Sequence, residues 1–356
     1  MKNIIFLTIV AVFLIGLLEG GLRVMEARAA SVYQEDAILG WRFKPYAVVE
    51  ISKGLESVNS LGWRGSERDY FSKGRKKRIV CLGDSCTFGV LLAHDEQTYP
   101  RQLENILKQK YQEDVEVFNF GVNGFSTLQG GALMRGIVSK VHPDIAIIYF
   151  GWNDMARIVG WFDYDQKIRW INSFWHHFAT FRTFIRLTDG LFQNLRYSRR
   201  IGSIFDTCFL KNALTPEQVE VNLKSMVQSA HRNGIQLIFV TTPYGQQGRE
   251  AASLRYARAD KKARRDLTAT SAYYAYQITK YNEILKKIAN ESKTSVIDLA
   301  SVFDSFPPDK LESCFHPGDA AHPNEKGCQL IATLMADFID DGWRQQRLQQ
   351  HEKLTT

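Results

Sequence analysis

Several motifs of nucleotide and hydrolase chemistry are missing from this sequence of 356 residues. No Gly-x-Ser-x-Gly pentapeptide occurs, which excludes the strained serine turn of the α/β-hydrolases. Neither Gly-x-Gly-x-x-Gly nor a phosphate-binding loop ending in Gly-Lys-Ser/Thr occurs, which argues against nucleotide use. No spacing of His, Cys and Asp suggests a zinc site, so we expect neither a cofactor nor a bound metal.

Cysteine is also scarce, since five cysteines in a chain of this length do not make a disulfide scaffold. The odd count leaves at least one thiol unpaired within the chain. The sequence does not decide whether a pair such as Cys314 and Cys328 forms a disulfide. Hydrophobic residues make up 45% and charged residues 23% of the sequence. These fractions are ordinary for a globular protein and exclude a mostly disordered or polytopic membrane chain.

The net charge of +7 is spread along the chain rather than gathered in a recognition motif, so we expect no nucleic-acid partner. Basic clusters occur at 75–78, 196–200 and 255–265. We interpret them as solvated helix faces, with attraction to anionic lipid or acidic polysaccharide as the alternative.

Only one long hydrophobic run is present, Ile4–Leu18, which has fifteen residues without a charge. As a helix it would be about 22 Å long, shorter than the roughly 30 Å of bilayer hydrocarbon. We favour an uncleaved signal-anchor, with the membrane contacted through residues 4–18 and the catalytic domain outside the cytoplasm, in the cell envelope. The alternatives are a cleaved signal, with Ala27-Arg28-Ala29 as a candidate site and a secreted or periplasmic product, and a buried helix.

The remainder divides by composition into a small front segment and one large domain. The predicted division is 1–22 signal or anchor, 23–75 an N-terminal decoration with short β segments, 76–345 the main domain and 346–356 a polar tail. The decoration contains one β-rich stretch, Ala47–Ser52, and two Gly-Trp-Arg triplets, at 40–42 and 62–64. An aromatic-rich insert at about 155–213 is either a helical cap over the sheet or a lid that stacks on sugars or enters the lipid interface.

Strand and helix patterns alternate through the main domain. Short apolar runs predict strands at Ile79–Leu82, Val115–Phe120, Ile145–Phe150, Gln236–Thr241 and Ser295–Leu299. Helical patterns occupy Tyr99–Lys108, Thr127–Val141, Pro216–Arg232, Ala272–Ser292 and Asn324–Trp343. This order predicts an α/β fold, with a doubly wound, flavodoxin-like, five-stranded parallel sheet and helices on both faces.

Polar residues follow four of these strands. The segments are Gly83-Asp84-Ser85, Gly121-Val122-Asn123-Gly124, Gly151-Trp152-Asn153-Asp154 and Asp319-Ala320-Ala321-His322. Each alone is more often an ordinary turn or a helix cap. Together, at the carboxyl ends of parallel strands, they supply a nucleophilic hydroxyl, oxyanion donors, and a base with a carboxylate that orients it. This set of groups fits acyl transfer through a serine.

These segments resemble the blocks of the SGNH (GDSL-type) hydrolases, over roughly residues 78–343. The resemblance implies an SGNH hydrolase fold in which Ser85 is the nucleophile, His322 the general base and Asp319 its orienting carboxylate. It also implies an oxyanion hole from the N–H groups of Ser85 and Gly124 and the side chain of Asn153. Cys86 departs from the apolar residue that often follows the serine, and the insert after Asn153 is long for the family.

The function expected from this resemblance is a cofactor-free serine esterase. Its substrate would be an O-acyl ester, with O-acetyl favoured, of a carbohydrate or lipid in the cell envelope, as in polysaccharide modification. One alternative is an O-acyltransferase that uses the same triad on envelope polysaccharide. A further alternative is a non-catalytic member that binds glycan or a partner protein.

Overall fold

The computed structural model describes residues 2–28, 32–36, 38–51, 54–72, 74, 76–155, 178, 180, 214–244, 267–317, 319 and 321–355. These residues belong to two compact units. The smaller unit comprises residues 1–32 and 159–212, and the larger comprises residues 33–158 and 213–356. The insert predicted at about 155–213 therefore lies almost entirely outside the described residues, as do the basic clusters at 196–200 and 255–265.

The smaller unit contains the N-terminal helix α1, Lys2–Arg28. Its stretch Ile5–Val24 has a mean hydropathy of 2.4, and none of that stretch is buried. Within this unit, Glu19 Oε2 accepts hydrogen bonds from the backbone N and the Oγ1 of Thr180, at 2.9 and 2.8 Å. By length and composition α1 is an apolar helix of the kind found in membrane anchors and signal sequences.

The larger unit alternates strands and helices over most of its length. Its described strands are β1 Tyr33–Asp36, β2 Gly40–Phe43, β3 Val48–Ile51, β4 Gly54–Ser57, β5 Lys77–Gly83, β6 Val115–Gly121, β7 Ile145–Tyr149, β8 Gln236–Val240 and β9 Ser295–Ile297. Its described helices are α2 Ser85–Phe88, α3 Tyr99–Gln109, α4 Thr127–Leu133, α5 Ser139–Val141, α6 Trp152–Met155, α7 Pro216–Arg232, α8 Leu267–Ser292, α9 Leu299–Asp304, α10 Pro308–Glu312 and α11 Glu325–Thr355. A π-helical turn, Met134–Val138, joins α4 to α5.

Strands β5 to β9 form one parallel sheet in the order β6-β5-β7-β8-β9. In this doubly wound order β5, the first strand of the sheet along the chain, lies between the second, β6, and the third, β7, as in flavodoxin-like proteins. The register sets Gly83 at the end of β5 opposite Gly121 on β6 and Tyr149 on β7. All five predicted strands are confirmed, with ends that differ by at most two residues, and the carboxyl ends of β5, β6 and β7 meet at one edge.

Both faces of this sheet are covered, because its strands alternate apolar side chains between two helical layers. Ile79, Ile147 and Ile238 belong to a buried cluster with side chains of α3 and α11 on one face. Helices α4, α7 and α8 pack together on the other face. The start of α7 forms as predicted: Thr215 Oγ1 accepts from Gln218 N at 3.3 Å, and Gln218 Oε1 accepts from Thr215 N at 2.9 Å.

The N-terminal decoration consists of two antiparallel hairpins, β1–β2 and β3–β4, and the segment that follows them. Trp63 stacks on Phe120 of β6 with ring centroids 4.5 Å apart, which joins this segment to the main sheet. The stretch predicted at residues 47–52 forms β3, whereas β1, β2 and β4 were not predicted. Arg78, which the sequence groups with a solvated basic cluster, is buried and donates to the carbonyl oxygens of Tyr70 and Val141, both at 3.0 Å.

Candidate active site

The hydroxyl of Ser85 lies at the carboxyl end of β5, the second strand from one edge of the sheet. Strand β5 ends at Gly83, and Asp84 caps α2 by accepting a hydrogen bond from Cys86 N at 2.9 Å. Helix α2 ends after four residues at Gly89, which has a left-handed backbone with φ of +78°. This short turn fixes Ser85 at the edge where the strand ends meet.

His322 and Asp319 complete a chain of hydrogen bonds with Ser85. Ser85 Oγ lies 2.8 Å from His322 Nε2, and His322 Nδ1 lies 2.8 Å from Asp319 Oδ2. Asp319 Oδ1 also accepts from the backbone N of Ala321 and of His322, at 2.8 and 3.0 Å. Burial would raise the pKa of Asp319, but the hydrogen bonds from His322 and Ala321 outweigh it and lower the pKa to about 2. Asp319 is therefore a carboxylate at neutral pH, and because a carboxylate only accepts, His322 Nδ1 is the donor of the hydrogen bond between them.

A second loop, Val122–Ser126 between β6 and α4, begins beside the end of β5, where Val122 N donates to Gly83 O at 3.2 Å. It is called here the oxyanion loop, after the role predicted for Gly124. Gly124 in this loop has φ of +81°, a left-handed conformation that glycine adopts without strain. Asn153 Nδ2 donates to Phe125 O at 2.7 Å and lies 3.5 Å from Asp84 Oδ2. The amide of Asn153 thus lies between the residue before Ser85 and the residue after Gly124. The hydrogen bond from Asn153 Nδ2 to Asp84 is weak, because 3.5 Å is at the limit for a hydrogen bond.

Two buried carboxyl groups lie behind the site. The exposed fraction is 1% for Asp84 and 0% for Asp154. Burial raises the pKa of Asp84 to about 6 and that of Asp154 to about 7. Asp154 Oδ1 accepts hydrogen bonds from Thr127 N at 2.9 Å and Thr127 Oγ1 at 2.5 Å. Asp154 therefore ties α6, which carries Asn153, to the first residue of α4, which follows the oxyanion loop.

Sequence reasoning missed two residues of the decoration that contact this region, Trp41 and Arg64. Trp41 Nε1 donates to Asn123 O at 3.0 Å, next to Gly124. Arg64 is buried and donates to the carbonyl oxygens of Phe88, Gly89 and Leu92, at 3.0, 2.5 and 2.7 Å, at the end of α2. The repeated Gly-Trp-Arg triplet was the available signal, and each triplet supplies one of these two residues.

The site combines a serine hydroxyl, an imidazole with an orienting carboxylate, and an amide donor, which suits acyl transfer. The five residues that the sequence predicts at this site lie together at one edge of the sheet. They are Ser85, Gly124, Asn153, Asp319 and His322. Within the described residues, no group of three or more His, Cys, Asp and Glu side chains could hold a metal ion.

Comparison with solved structures returns chains of low sequence identity. A lipase/acylhydrolase from Enterococcus faecalis is 19% identical, with 74% of this chain and 95% of that chain covered and a TM-score of 0.43. A GDSL-like lipase from Bacteroides thetaiotaomicron is 15% identical, with 76% and 92% covered and a TM-score of 0.43. An acetylxylan esterase from Geobacillus stearothermophilus is 16% identical, with 74% and 94% covered and a TM-score of 0.42.

No curated protein matches the chain. A family model does match, over residues 81–330, which is more than half of the sequence. The matched range begins within β5, ends within α11 and includes Ser85, Gly124, Asn153, Asp319 and His322. The chain therefore belongs to the GDSL-like lipase/acylhydrolase family and is an ester hydrolase of that family.

Proposed function

We propose that this ester hydrolase removes a short acyl group, with acetyl favoured, from a carbohydrate or lipid through an acyl-Ser85 intermediate. The observation that carries the proposal is the hydrogen-bonded chain from Ser85 Oγ to His322 and from His322 to Asp319, with both links at 2.8 Å. A serine hydroxyl is a weak nucleophile at its own pKa and needs such a base to be activated.

In the first half-reaction, Ser85 Oγ bonds to the ester carbonyl carbon and its proton passes to His322 Nε2. Asp319, ionised at neutral pH, stabilises the imidazolium that forms. The carbonyl oxygen becomes an oxyanion that the N–H groups of Ser85 and Gly124 and the amide of Asn153 would hold. The bond to the alcohol then breaks, and the alcohol leaves with the proton from His322.

In the second half-reaction, a water molecule gives a proton to His322 Nε2 and attacks the acyl-serine carbonyl carbon. The tetrahedral species collapses, the bond to Ser85 Oγ breaks, and the proton returns from His322 to Ser85. The products are the free acid and the unchanged enzyme. Transfer to a sugar hydroxyl in place of water would use the same steps, so this alternative is decided by which acceptor takes the acyl group.

The preference for acetyl is a prediction from the family resemblance, and the series of ester chain lengths below tests it. Carbohydrate recognition is supported by a partly exposed aromatic side chain beside Asn153, because flat rings stack on sugars. Trp152, which precedes Asn153, is half-buried and packs against Tyr244 with ring centroids 5.2 Å apart.

The apolar helix α1 supports attachment to a membrane, with the catalytic unit in the cell envelope. Its apolar stretch Ile5–Val24 is 20 residues long and reaches about 30 Å as a helix, the thickness of bilayer hydrocarbon. Protease treatment of intact cells and N-terminal sequencing of the mature protein test this location. Digestion of the catalytic unit from outside, with residues 1–28 retained, is expected of an anchored envelope protein.

The proposed reaction is tested with p-nitrophenyl esters of increasing chain length, acetylated oligosaccharides and a fluorophosphonate label. We expect label on Ser85 in the wild type and none in Ser85→Ala, with Ser305→Ala, an exposed serine of the same unit, as the matched control. Acetate turnover should exceed long-chain turnover. Wild-type activity in Ser85→Ala would refute the mechanism, and acyl-oligosaccharide formed at the expense of free acid would reassign the activity to transfer.

A further inference from the structure

The hairpin β1–β2 packs its inward face against the region of the catalytic serine. Trp41 and Phe43 lie two positions apart on β2, so their side chains point to the same face of the strand. Tyr33, the register partner of Phe43, stacks on it with ring centroids 4.6 Å apart. Arg42, between them, faces the other way and pairs with Asp36 at 3.4 Å. One face of a four-residue strand thus presents aromatic rings to the α/β core.

Trp41 holds the oxyanion loop by three contacts. Its Nε1 donates to Asn123 O at 3.0 Å, and its ring meets Phe125 edge to face with centroids 5.4 Å apart. Between these two residues, Gly124 lies directly against the six-membered ring of the indole. Asn123 is held again by the hairpin, because its Nδ2 donates to Tyr33 Oη at 3.1 Å.

Phe43 contacts the other component of the site, the helix that begins with Ser85. Its ring stacks on Phe88, the last residue of α2, with centroids 4.8 Å apart. Both phenylalanine side chains are fully buried. One face of the hairpin therefore touches the helix that begins with Ser85 through Phe43 and the oxyanion loop through Trp41.

We propose that Trp41 is a positioning residue of the esterase, which fixes the backbone N–H of Gly124 at the distance from Ser85 that the oxyanion requires. The proposal rests on the proposed function and extends it, because it makes the hairpin ahead of the family domain part of the catalytic site. Trp41 acts through Gly124 and is not a catalytic residue in this scheme.

Conformational freedom at Gly124 explains why such a support is needed. Glycine populates many backbone conformations, so a loop that turns at glycine is not fixed by its own sequence. A donor that is misplaced by about 1 Å can lower the rate by about a hundredfold. The indole restricts this loop on one side, and Asn153, which donates to Phe125 O at 2.7 Å, holds it on the other.

Three variants test this role. Trp41→Ala removes the ring and the N–H, Trp41→Phe keeps a ring but loses the N–H, and Trp63→Phe is the matched control. Trp63 belongs to the second Gly-Trp-Arg triplet, and its Nε1 has no hydrogen-bond partner among the described residues. Measurements on the full-length protein are kcat and KM for p-nitrophenyl acetate, the rate of fluorophosphonate labelling, and the midpoint of thermal unfolding.

We expect kcat of Trp41→Ala to fall about 10- to 100-fold with KM changed less than about threefold. Labelling should slow in parallel, since the phosphonyl oxygen occupies the same donors. Trp41→Phe should recover part of the loss, and Trp63→Phe should keep kcat within about twofold of the wild type. Such a split between kcat and KM distinguishes misplacement of an oxyanion donor from loss of substrate contact.

Wild-type kcat in folded Trp41→Ala would overturn the proposal, and so would a loss confined to KM. If Trp41→Ala does not fold, Trp41→Phe decides, because it removes both the N–H and the Cζ2 edge that lies against Gly124: kcat equal to that of the wild type and of Trp63→Phe would overturn the proposal. Failure of the proposed function gives a different result, because the wild type itself would then escape labelling at Ser85.

Discussion

Ser85 Oγ lies 2.8 Å from His322 Nε2, although 237 positions separate the two residues along the chain. The parallel sheet accounts for this approach, since the segments after its strands meet at one edge. A second contact holds the two segments together, because Cys86 Sγ donates to Ala321 O at 3.2 Å. The residue that departs from the family pattern after the serine is thus the one that contacts the loop of the base.

Removal of Asp319 should lower turnover while the fold is retained. In Asp319→Ala, the ring of His322 loses its acceptor at Nδ1 and with it the support for one tautomer and one orientation. We expect kcat to fall about 10²- to 10⁴-fold, with Ser85 still present to react slowly with a fluorophosphonate. Steady-state kinetics and labelling rates measure the two effects.

Asp319→Asn is the sharper companion variant, because it keeps the size of the side chain and an acceptor oxygen. It should still lose most of the activity, since the neutral amide no longer stabilises the imidazolium. Full activity in Asp319→Asn would show that the carboxylate charge has no role in turnover.

Loss of the Asn153 amide should be severe without abolishing the reaction. One oxyanion donor contributes about 10²- to 10³-fold in kcat, and the backbone donors of Ser85 and Gly124 remain in Asn153→Ala. The variant also loses the hydrogen bond to Phe125 O, so the oxyanion loop gains freedom. Turnover of p-nitrophenyl acetate measures the loss.

The matched control for Asn153 is Asn282→Ala. Asn282 is a buried asparagine whose amide makes two hydrogen bonds to the backbone of Thr242, at 2.8 and 2.9 Å. Its loss should lower the free energy of unfolding but leave kcat per folded molecule close to that of the wild type. Equal kcat losses in the two variants would argue against Asn153 as a donor.

The sheet and the position of Ser85, Asp319 and His322 after its strands could be predicted from sequence because both follow from local patterns, whereas the roles of these residues came from the family resemblance. Apolar runs between helical stretches mark the strands, and the chemistry-bearing residues come directly after them. The four residues of β1, Tyr-Gln-Glu-Asp, show no alternation of apolar and polar residues, so nothing local indicates a strand there. The pairing of β1 with β2 depends on contacts that Trp41 and Phe43 of β2 make with distant segments.

The sequence also could not predict which charged residues are buried in the fold. Asp84, Asp154 and Arg64 read as polar turn residues, yet each is almost fully buried. Their burial depends on backbone groups that only the fold brings together, such as the carbonyl oxygens at the end of α2 that Arg64 reaches. A repeated Gly-Trp-Arg triplet indicates a role but does not reveal which carbonyl groups the arginine contacts.

Arg64 should therefore be important for stability, and Arg42 of the other triplet should not. Arg64→Met leaves three carbonyl acceptors at the end of α2 without their donor, which we expect to cost about 2–5 kcal/mol of unfolding free energy. Arg42→Met removes a partly exposed ion pair and should cost less than about 1 kcal/mol. Urea unfolding measures both values. Equal effects would show that the contacts of Arg64 contribute no more than a surface pair.

The buried carboxyl of Asp154 should give the protein a stability that falls as the pH rises. Burial raises its folded pKa to about 7, against an ordinary value of 3.8, so between these values the folded state binds more protons than the unfolded state. The free energy of unfolding contributed by this group is therefore present below pH 4 and lost as the pH rises toward 7. Asp84, with a pKa raised to about 6, contributes with the same sign over a narrower range.

Asp154→Asn isolates this contribution, because the amide keeps the shape of the side chain but does not titrate. We expect the wild type to lose about 1–3 kcal/mol more than the variant between pH 5 and pH 7, since one proton contributes up to 1.36 kcal/mol per pH unit. The matched control is Asp298→Asn. Burial would raise the pKa of Asp298, but hydrogen bonds from Lys286, Ser301 and Thr241 lower it to about 2, so Asp298 stays ionised across this range. Urea unfolding at pH 5, 6 and 7 measures the slopes, and a wild-type slope in Asp154→Asn would show that Asp154 does not titrate between these values.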